Sequence, residues 1–165
     1  MANNKKPRKR YKPKPVLADP IGFVTERIAP IAKHDTYLLD LQLRNSAAMT
    51  ALLRGNCSTA DMDTLIAMSN IVEGLHMMGF GKEYGEVAIQ GREALISIAA
   101  RAKRTKRFTP NGAEIQALNT LMELHDAQME VITVQNMEDA IKLCAKMIRE
   151  KKATVLDHIP EEILV

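Results

Sequence analysis

AEIQALNTLMELHDAQMEVITVQNMEDAIKLCAKMIREKKATVLDHI, residues 113–159, contains neither Pro nor Gly and decides the fold. Apolar residues fall at Ile115, Leu118, Leu121 and Met122, Met129, Ile132, Val134, Ala140 and Ile141, Leu143 and Cys144, and Met147 and Ile148. Steps of three and four put them on one stripe of an α-helix. The preceding Thr109-Pro110-Asn111-Gly112 reads as a helix start, with Thr109 as the cap and Pro110 at the first helical position. An unbroken helix to about Lys152 would be roughly 60 Å long at about 1.5 Å per residue. The β-branched run Val131-Ile132-Thr133-Val134 is its weak point, and Thr133 is placed to cap a second helix there. The upstream helices are expected to pack against this stretch.

Those helices read from their stop signals. A short one starts at Asp19-Pro20, puts Phe23, Val24 and Ile28 on one side, and ends before Pro30. The next runs from about Asp35 to Arg54 and stops at Gly55, with Tyr37, Leu38, Leu41, Ala48, Met49 and Leu52 inward. Ser58-Thr-Ala-Asp61 caps a third, ending at Gly79 and burying Met62, Leu65, Ile66, Ile71, Val72 and Leu75. A fourth spans about 82–103, with Tyr84, Val87, Gly91, Ala94, Leu95, Ile98 and Ala102 on its stripe. Gly74, Gly85 and Gly91 inside helical patterns each cost up to about 1 kcal/mol relative to Ala, and close helix crossing is the physical reason to keep them. The connections are short, so neighbours should be antiparallel. The expected fold is all-α: an antiparallel bundle of four main helices over residues 17–165, the last long or broken near Thr133.

Composition agrees. The chain has 165 residues, enough for one domain with its own core. Aromatics are only 4% and Trp is absent, so Leu, Ile, Ala and ten Met must fill the interior. Cys57 and Cys144 are far apart, and no apolar run of eighteen residues exists. A reducing cytoplasm is therefore expected, without a membrane span.

Charge is unevenly placed. Lys5, Lys6, Arg8, Lys9, Arg10, Lys12 and Lys14 lie within residues 1–16, with no acid before Asp19. Removing these seven from the 23 cations leaves 16 against 20 acids, a body of net −4. Pro7, Pro13 and Pro15 forbid an ordinary helix, so residues 1–16 are expected to form an extended basic arm. Its cations suit phosphates, and Tyr11 suits stacking on a base or sugar. A solubilising tail is the plainer reading. A second cluster, Arg101, Lys103, Arg104, Lys106 and Arg107, closes the fourth helix. It suits the negative end of the helix dipole or a second phosphate contact. Lys142, Lys146, Arg149, Lys151 and Lys152 make a third group, expected to be a solvent face.

No catalytic motif emerges. The glycines at 79, 81 and 85 lack the Lys-Ser/Thr of a phosphate loop, and no serine sits in a nucleophile elbow. Glu73-Gly-Leu-His76 is one Glu-x-x-His pair, but a di-iron bundle needs two, and Met122 stands three residues before His125. Glu73 and His76 are expected to face solvent or cap a neighbour, and His125 to be a satisfied core or interface histidine. No metal or cofactor is expected.

Lys6-Pro-Arg-Lys-Arg-Tyr-Lys-Pro-Lys-Pro15, Ala48-Met-Thr-Ala-Leu52 with Gly55, Asp61-Met-Asp-Thr-Leu-Ile66 and His125-Asp-Ala-Gln128 together resemble small helical proteins carried by phages and prophages of proteobacteria. The resemblance implies a bacterial cytoplasm and an accessory or regulatory job, and carries over no binding or catalytic residue. The expected function is that of a non-enzymatic, nucleic-acid-associated or regulatory protein, DNA or RNA being gripped through phosphates. The alternative is a protein–protein module, an adaptor, inhibitor or virion component, whose arm meets an acidic partner. A homodimer is expected because a long last helix would leave Val134, Met137, Ile141, Leu143, Cys144 and Met147 uncovered. The alternatives are cover by the tail residues Val155, Leu156, Ile159, Ile163, Leu164 and Val165 folding back after Pro160, or a break near Thr133 that needs neither.

Overall fold

A computed structural model describes residue 25, residues 27–31 and residues 35–160. The basic arm, most of the expected first short helix, and Ile163, Leu164 and Val165 lie outside them. Five helices form the described chain: α1 (Asp35–Leu53), α2 (Thr59–Met77), α3 (Gly85–Thr105), α4 (Gly112–Val131) and α5 (Val134–Arg149). Among the described residues there is no strand, and the one bridge pairs Pro30 with Thr133. Thr25, Arg27 and Ile28 are helical and the chain bends at Ala29, so this helix does end before Pro30, but Ile28 is exposed.

Residues 113–159 do not form one rod. Ile132 closes α4 in extended conformation (φ −89°, ψ 159°), and Thr133, also extended, caps α5. The Thr133 hydroxyl accepts from the Asn136 amide at 3.2 Å, while Asn136 Oδ1 accepts from the Thr133 amide at 2.9 Å. Both orphan donors are satisfied, and the chain turns back. The preceding segment staples the joint: Ile31 N donates to the Ile132 carbonyl at 2.9 Å, Val134 N to that of Ala29 at 3.2 Å, and Arg27 pairs with Glu138 at 2.6 Å. The start of α4 also differs from expectation. Asn111, not Thr109, is the cap, because its side chain accepts from Glu114 N while Glu114 accepts from Asn111 N at 2.7 Å.

The element that touches all the others is α2. It packs on α1, α3, α4 and α5 and meets the turn at Leu156–His158, so α2 rather than residues 113–159 is the hub. Met62, Leu65, Val72 and Leu75 have no exposed surface, and Ser69, Asn70 and Gly74 are buried as well. Small residues on its second face admit α5: a Cβ on Gly74 would stand 3.1 Å from Cys144 Sγ. The α5 side chains on which a dimer was expected are thereby covered within the chain. Met137, Cys144 and Met147 are buried, Val134 and Leu143 partly so, and only Ile141 of that set stays exposed.

The main core joins α1 to α4, centred on Leu52, Leu65, Leu95, Ile98, Leu118 and Leu121. A smaller cluster of Ile31, Leu75, Met129, Ile132, Met137 and Ala140 fills the α4–α5 joint. Most expected inward positions hold, but Tyr84 is half exposed, because residues 82–84 form a separate 3-10 turn before α3. After α5, Lys151 adopts a left-handed conformation (φ 57°) and Lys152 N reaches the Met147 carbonyl at 2.8 Å. That closes the helix and sends residues 152–160 back over α2 and α3 as a strap. Leu156 and Ile159 enter the main core. Asn70 holds the strap at both polar atoms, donating to Thr154 O at 2.8 Å and accepting from Thr154 N at 3.2 Å.

Candidate nucleic-acid interface

Of the expected phosphate-contacting residues, those of the arm (Lys5, Lys6, Arg8, Lys9, Arg10, Tyr11, Lys12 and Lys14) lie outside the described residues. The cluster ending α3 is described, and its five cations do not act alike. Arg101 turns inward along its helix. It donates to Glu114 at 2.6 Å and to the Thr109 carbonyl at 2.7 and 3.2 Å, so it braces the α3–α4 corner. Lys103 donates to the Ile159 carbonyl and fastens the strap. Both belong to the scaffold. Arg104, Lys106 and Arg107 are exposed, and their side chains make no hydrogen bond or ion pair among the described residues. Lys106 closes α3 in a left-handed conformation (φ 59°).

Of the third basic group, Lys151 and Lys152 lie along the strap's start. A cleft of about 710 Å³ opens between α3 and the strap, with Arg92, Lys151, Lys152 and His158 on its walls beside Glu93. Lys103, one residue before Arg104, ties α3 to Ile159 on the cleft's rim. Arg92 of α3 and Lys151, Lys152 and His158 of the strap therefore line one cleft, while Arg104, Lys106 and Arg107 lie outside its lining. They are not equally free: Arg92 pairs with Glu73 at 2.7 Å, and Lys152 with Glu150 at 2.7 Å. Lys142 pairs with Asp139 within α5, and Lys146 with Glu150 at its end.

The remaining chemistry-bearing side chains have structural partners. Glu73 is partly buried and meets Arg92 across α2–α3, and His76 Nδ1 lies 3.2 Å from the Gly81 carbonyl. His125 is buried, with Nδ1 3.4 Å from Asp126. Burial, then the Asp61 carboxylate, pushes the Cys57 thiol up to about 11. Burial, then Glu73, raises that of Cys144 too. Neither is a thiolate at neutral pH, so neither has the character of a nucleophile. Among the described residues no three His, Cys, Asp or Glu side chains gather to hold a metal, and no helix is long and apolar enough to cross a membrane.

Glu114 is the functional-looking residue that sequence reading missed. Burial works to raise its pKa, but hydrogen bonds from Arg101, the Asn111 amide and Ser97 outweigh it and hold the carboxyl below the usual range. The Asn111-x-x-Glu114 spacing is a capping-box signal and was available in the sequence. A depressed folded pKa contributes stability above the ordinary glutamate range, which is lost as pH falls through the folded value. Glu114→Gln should therefore cost about 2 kcal/mol at neutral pH, because Arg101 loses its carboxylate partner and keeps only the Thr109 carbonyl. The penalty should shrink as pH falls below the ordinary glutamate range, where wild type loses the same charge. Urea unfolding across that range measures both; a penalty independent of pH would remove the ion pair from the account.

The geometry defines an all-helical protein with a basic edge at the end of α3. Comparison with protein-family models, curated proteins and solved structures gives no match.

Proposed function

We propose that the protein is a non-enzymatic, nucleic-acid-associated or regulatory protein of the phage and prophage kind, acting in a bacterial cytoplasm. Its basic arm grips phosphates, and an antiparallel helical bundle forms its body. The observation that carries this reading is the charge separation: seven cations and no acid in residues 5–14, against a remainder of net −4. A body of that sign repels polyanions except where cations are concentrated. Arg104, Lys106 and Arg107, exposed and unpaired among the described residues, support a second contact at the end of α3. Arg101 and Lys103 are withdrawn from that role, because their charges are engaged within the fold.

Binding of this type follows counterion release, with a salt slope near −0.9 per phosphate neutralised on duplex DNA. Deleting residues 1–16 should flatten the slope by several units, measured by fluorescence anisotropy with a random duplex over a salt series. Triple replacement Arg104→Gln, Lys106→Gln and Arg107→Gln should flatten it by about two to three. Thermal stability should not change in the triple variant, since these side chains are exposed. A truncated chain that binds as tightly with the same slope would reduce the arm to a tail. If neither DNA nor RNA binds at low salt, the nucleic-acid reading fails.

A further inference from the structure

The outer face of α1 carries a pattern that the fold does not use among the described residues. Leu39, Leu43 and Leu53 are 56%, 59% and 51% exposed, although the opposite face buries Ala48, Met49 and Leu52. Between Leu43 and Arg54 the surface is hollowed by Ser46, Ala47, Thr50 and Ala51 into a groove of about 420 Å³. Small residues at this spacing let a second helix approach closely.

The distribution about Ala47 is self-complementary. Asp40 stands seven residues before Ala47 and Arg54 seven after, both exposed and both two turns away on one face. Leu43 lies four residues before and Ala51 four after. An antiparallel copy of the helix, crossing with its two-fold axis at Ala47, therefore sets large against small and acid against base at each pair of sites. Leu43 of each chain enters the hollow beside the other's Ala51, and Asp40 of each meets the other's Arg54. Arg44, which already pairs with Asp40 at 2.7 Å in its own helix, flanks the contact.

We infer that the outer face of α1 is a self-association surface whose occupant is α1 of a second copy of this chain. One helix crossing buries less area than a standard interface, so the dimer is a weak one, with Kd in the micromolar range. It is independent of the α5 stripe, which the fold covers within the chain, and of any polyanion. Residue i of one copy meets residue 94 − i of the other, as a closed two-fold contact requires.

Sedimentation equilibrium of the full chain, from about 5 to about 200 µM, tests this without nucleic acid. Two-chain particles are expected to form over that range. Ala47→Glu, on an exposed helical site that tolerates Glu, sets two like charges at the axis and should weaken association at least tenfold with an unchanged melting curve. Asp40→Arg and Arg54→Asp should each weaken it, while the double variant, which restores opposite charges across the axis, should recover it. Single-chain mass up to about 200 µM would overturn the inference. So would a dimer indifferent to Ala47→Glu, or charge reversals that are additive rather than mutually rescuing.

Discussion

Replacing Gly91 by Val should cost about 3 kcal/mol or more and lower the melting temperature by roughly 10 °C. Gly91 lies in the middle of α3, where it crosses α4. A Cβ built there would stand 2.7 Å from Leu121 Cδ2, 2.8 Å from its Cβ and 2.9 Å from its Cγ. A flexible side-chain end could move aside, but Leu121 Cβ is fixed to the α4 backbone. Restoring an ordinary contact of 3.4 Å would part the helices by about 0.6 Å through the middle of the main core. Interiors this well packed resist that displacement. Helix propensity pulls the other way, but by only about 1 kcal/mol, and a β-branched residue gains less of it than Ala. Overlap wins. Gly112→Ala is the control, since nothing lies within 4 Å of the added methyl, and it should be neutral or slightly stabilising. Thermal melts followed by circular dichroism compare the two. If the overlap is with Leu121, Gly91→Val with Leu121→Gly, which removes the Leu121 Cβ, should cost less than the sum of the singles by more than about 1 kcal/mol. An unchanged melt for Gly91→Val would mean that α3 and α4 do not cross there.

Gly91 was legible in the sequence because a glycine kept inside a helical pattern needs a reason, and close crossing supplies it. Several caps were legible for similar local reasons, although that of α4 was read at Thr109 and is Asn111. Ser58 and Asp61 bond reciprocally as their spacing implies, Gly79 stops the second long helix with a positive φ of 105°, and Thr133 breaks the last one. What stayed hidden was long-range. α2 is the hub because Ser69, Asn70 and Gly74 line a second buried face, and small polar residues read as surface in a linear pattern. Asn70 reaches a partner 84 residues away, and Gln128 Nε2, buried between the Phe80 carbonyl at 3.0 Å and that of Val72 at 3.3 Å, gave no signal. Clustered cations announce a patch but not which members are engaged. Arg101 and Lys103 differ from Arg104, Lys106 and Arg107 only through carbonyls and a carboxylate supplied from elsewhere in the fold. For the arm, the charge pattern alone supports the reading.

At the α4–α5 joint, Ile132→Ala should destabilise the protein by about 3 kcal/mol, and Thr133→Ala by about 1 kcal/mol. Ile132 is fully buried among Ile31, Leu75, Met129, Met137 and Ala140, so truncation removes apolar contact and opens a cavity at the smaller core's centre. Thr133 is only partly buried, and its loss removes the α5 cap while leaving Asn136 to bond its backbone amide. The sign matters more than the size. In an unbroken helix from 113 to 152, Ile132 and Thr133 would both be interior helical residues. Alanine, the stronger helix former, would then help at Thr133 and recover part of the loss at Ile132. With the joint extended at both residues, propensity does not act, and both changes must destabilise in the ratio of core to cap. Urea unfolding of the two variants reads that ratio directly. The segment over the joint supplies an independent check. Ile31→Ala touches the same cluster and should also cost about 2–4 kcal/mol, with a coupling to Ile132→Ala of about 0.5 kcal/mol or more. A stabilised Thr133→Ala, or Ile31 and Ile132 acting additively, would favour the single long helix over the folded-back α5.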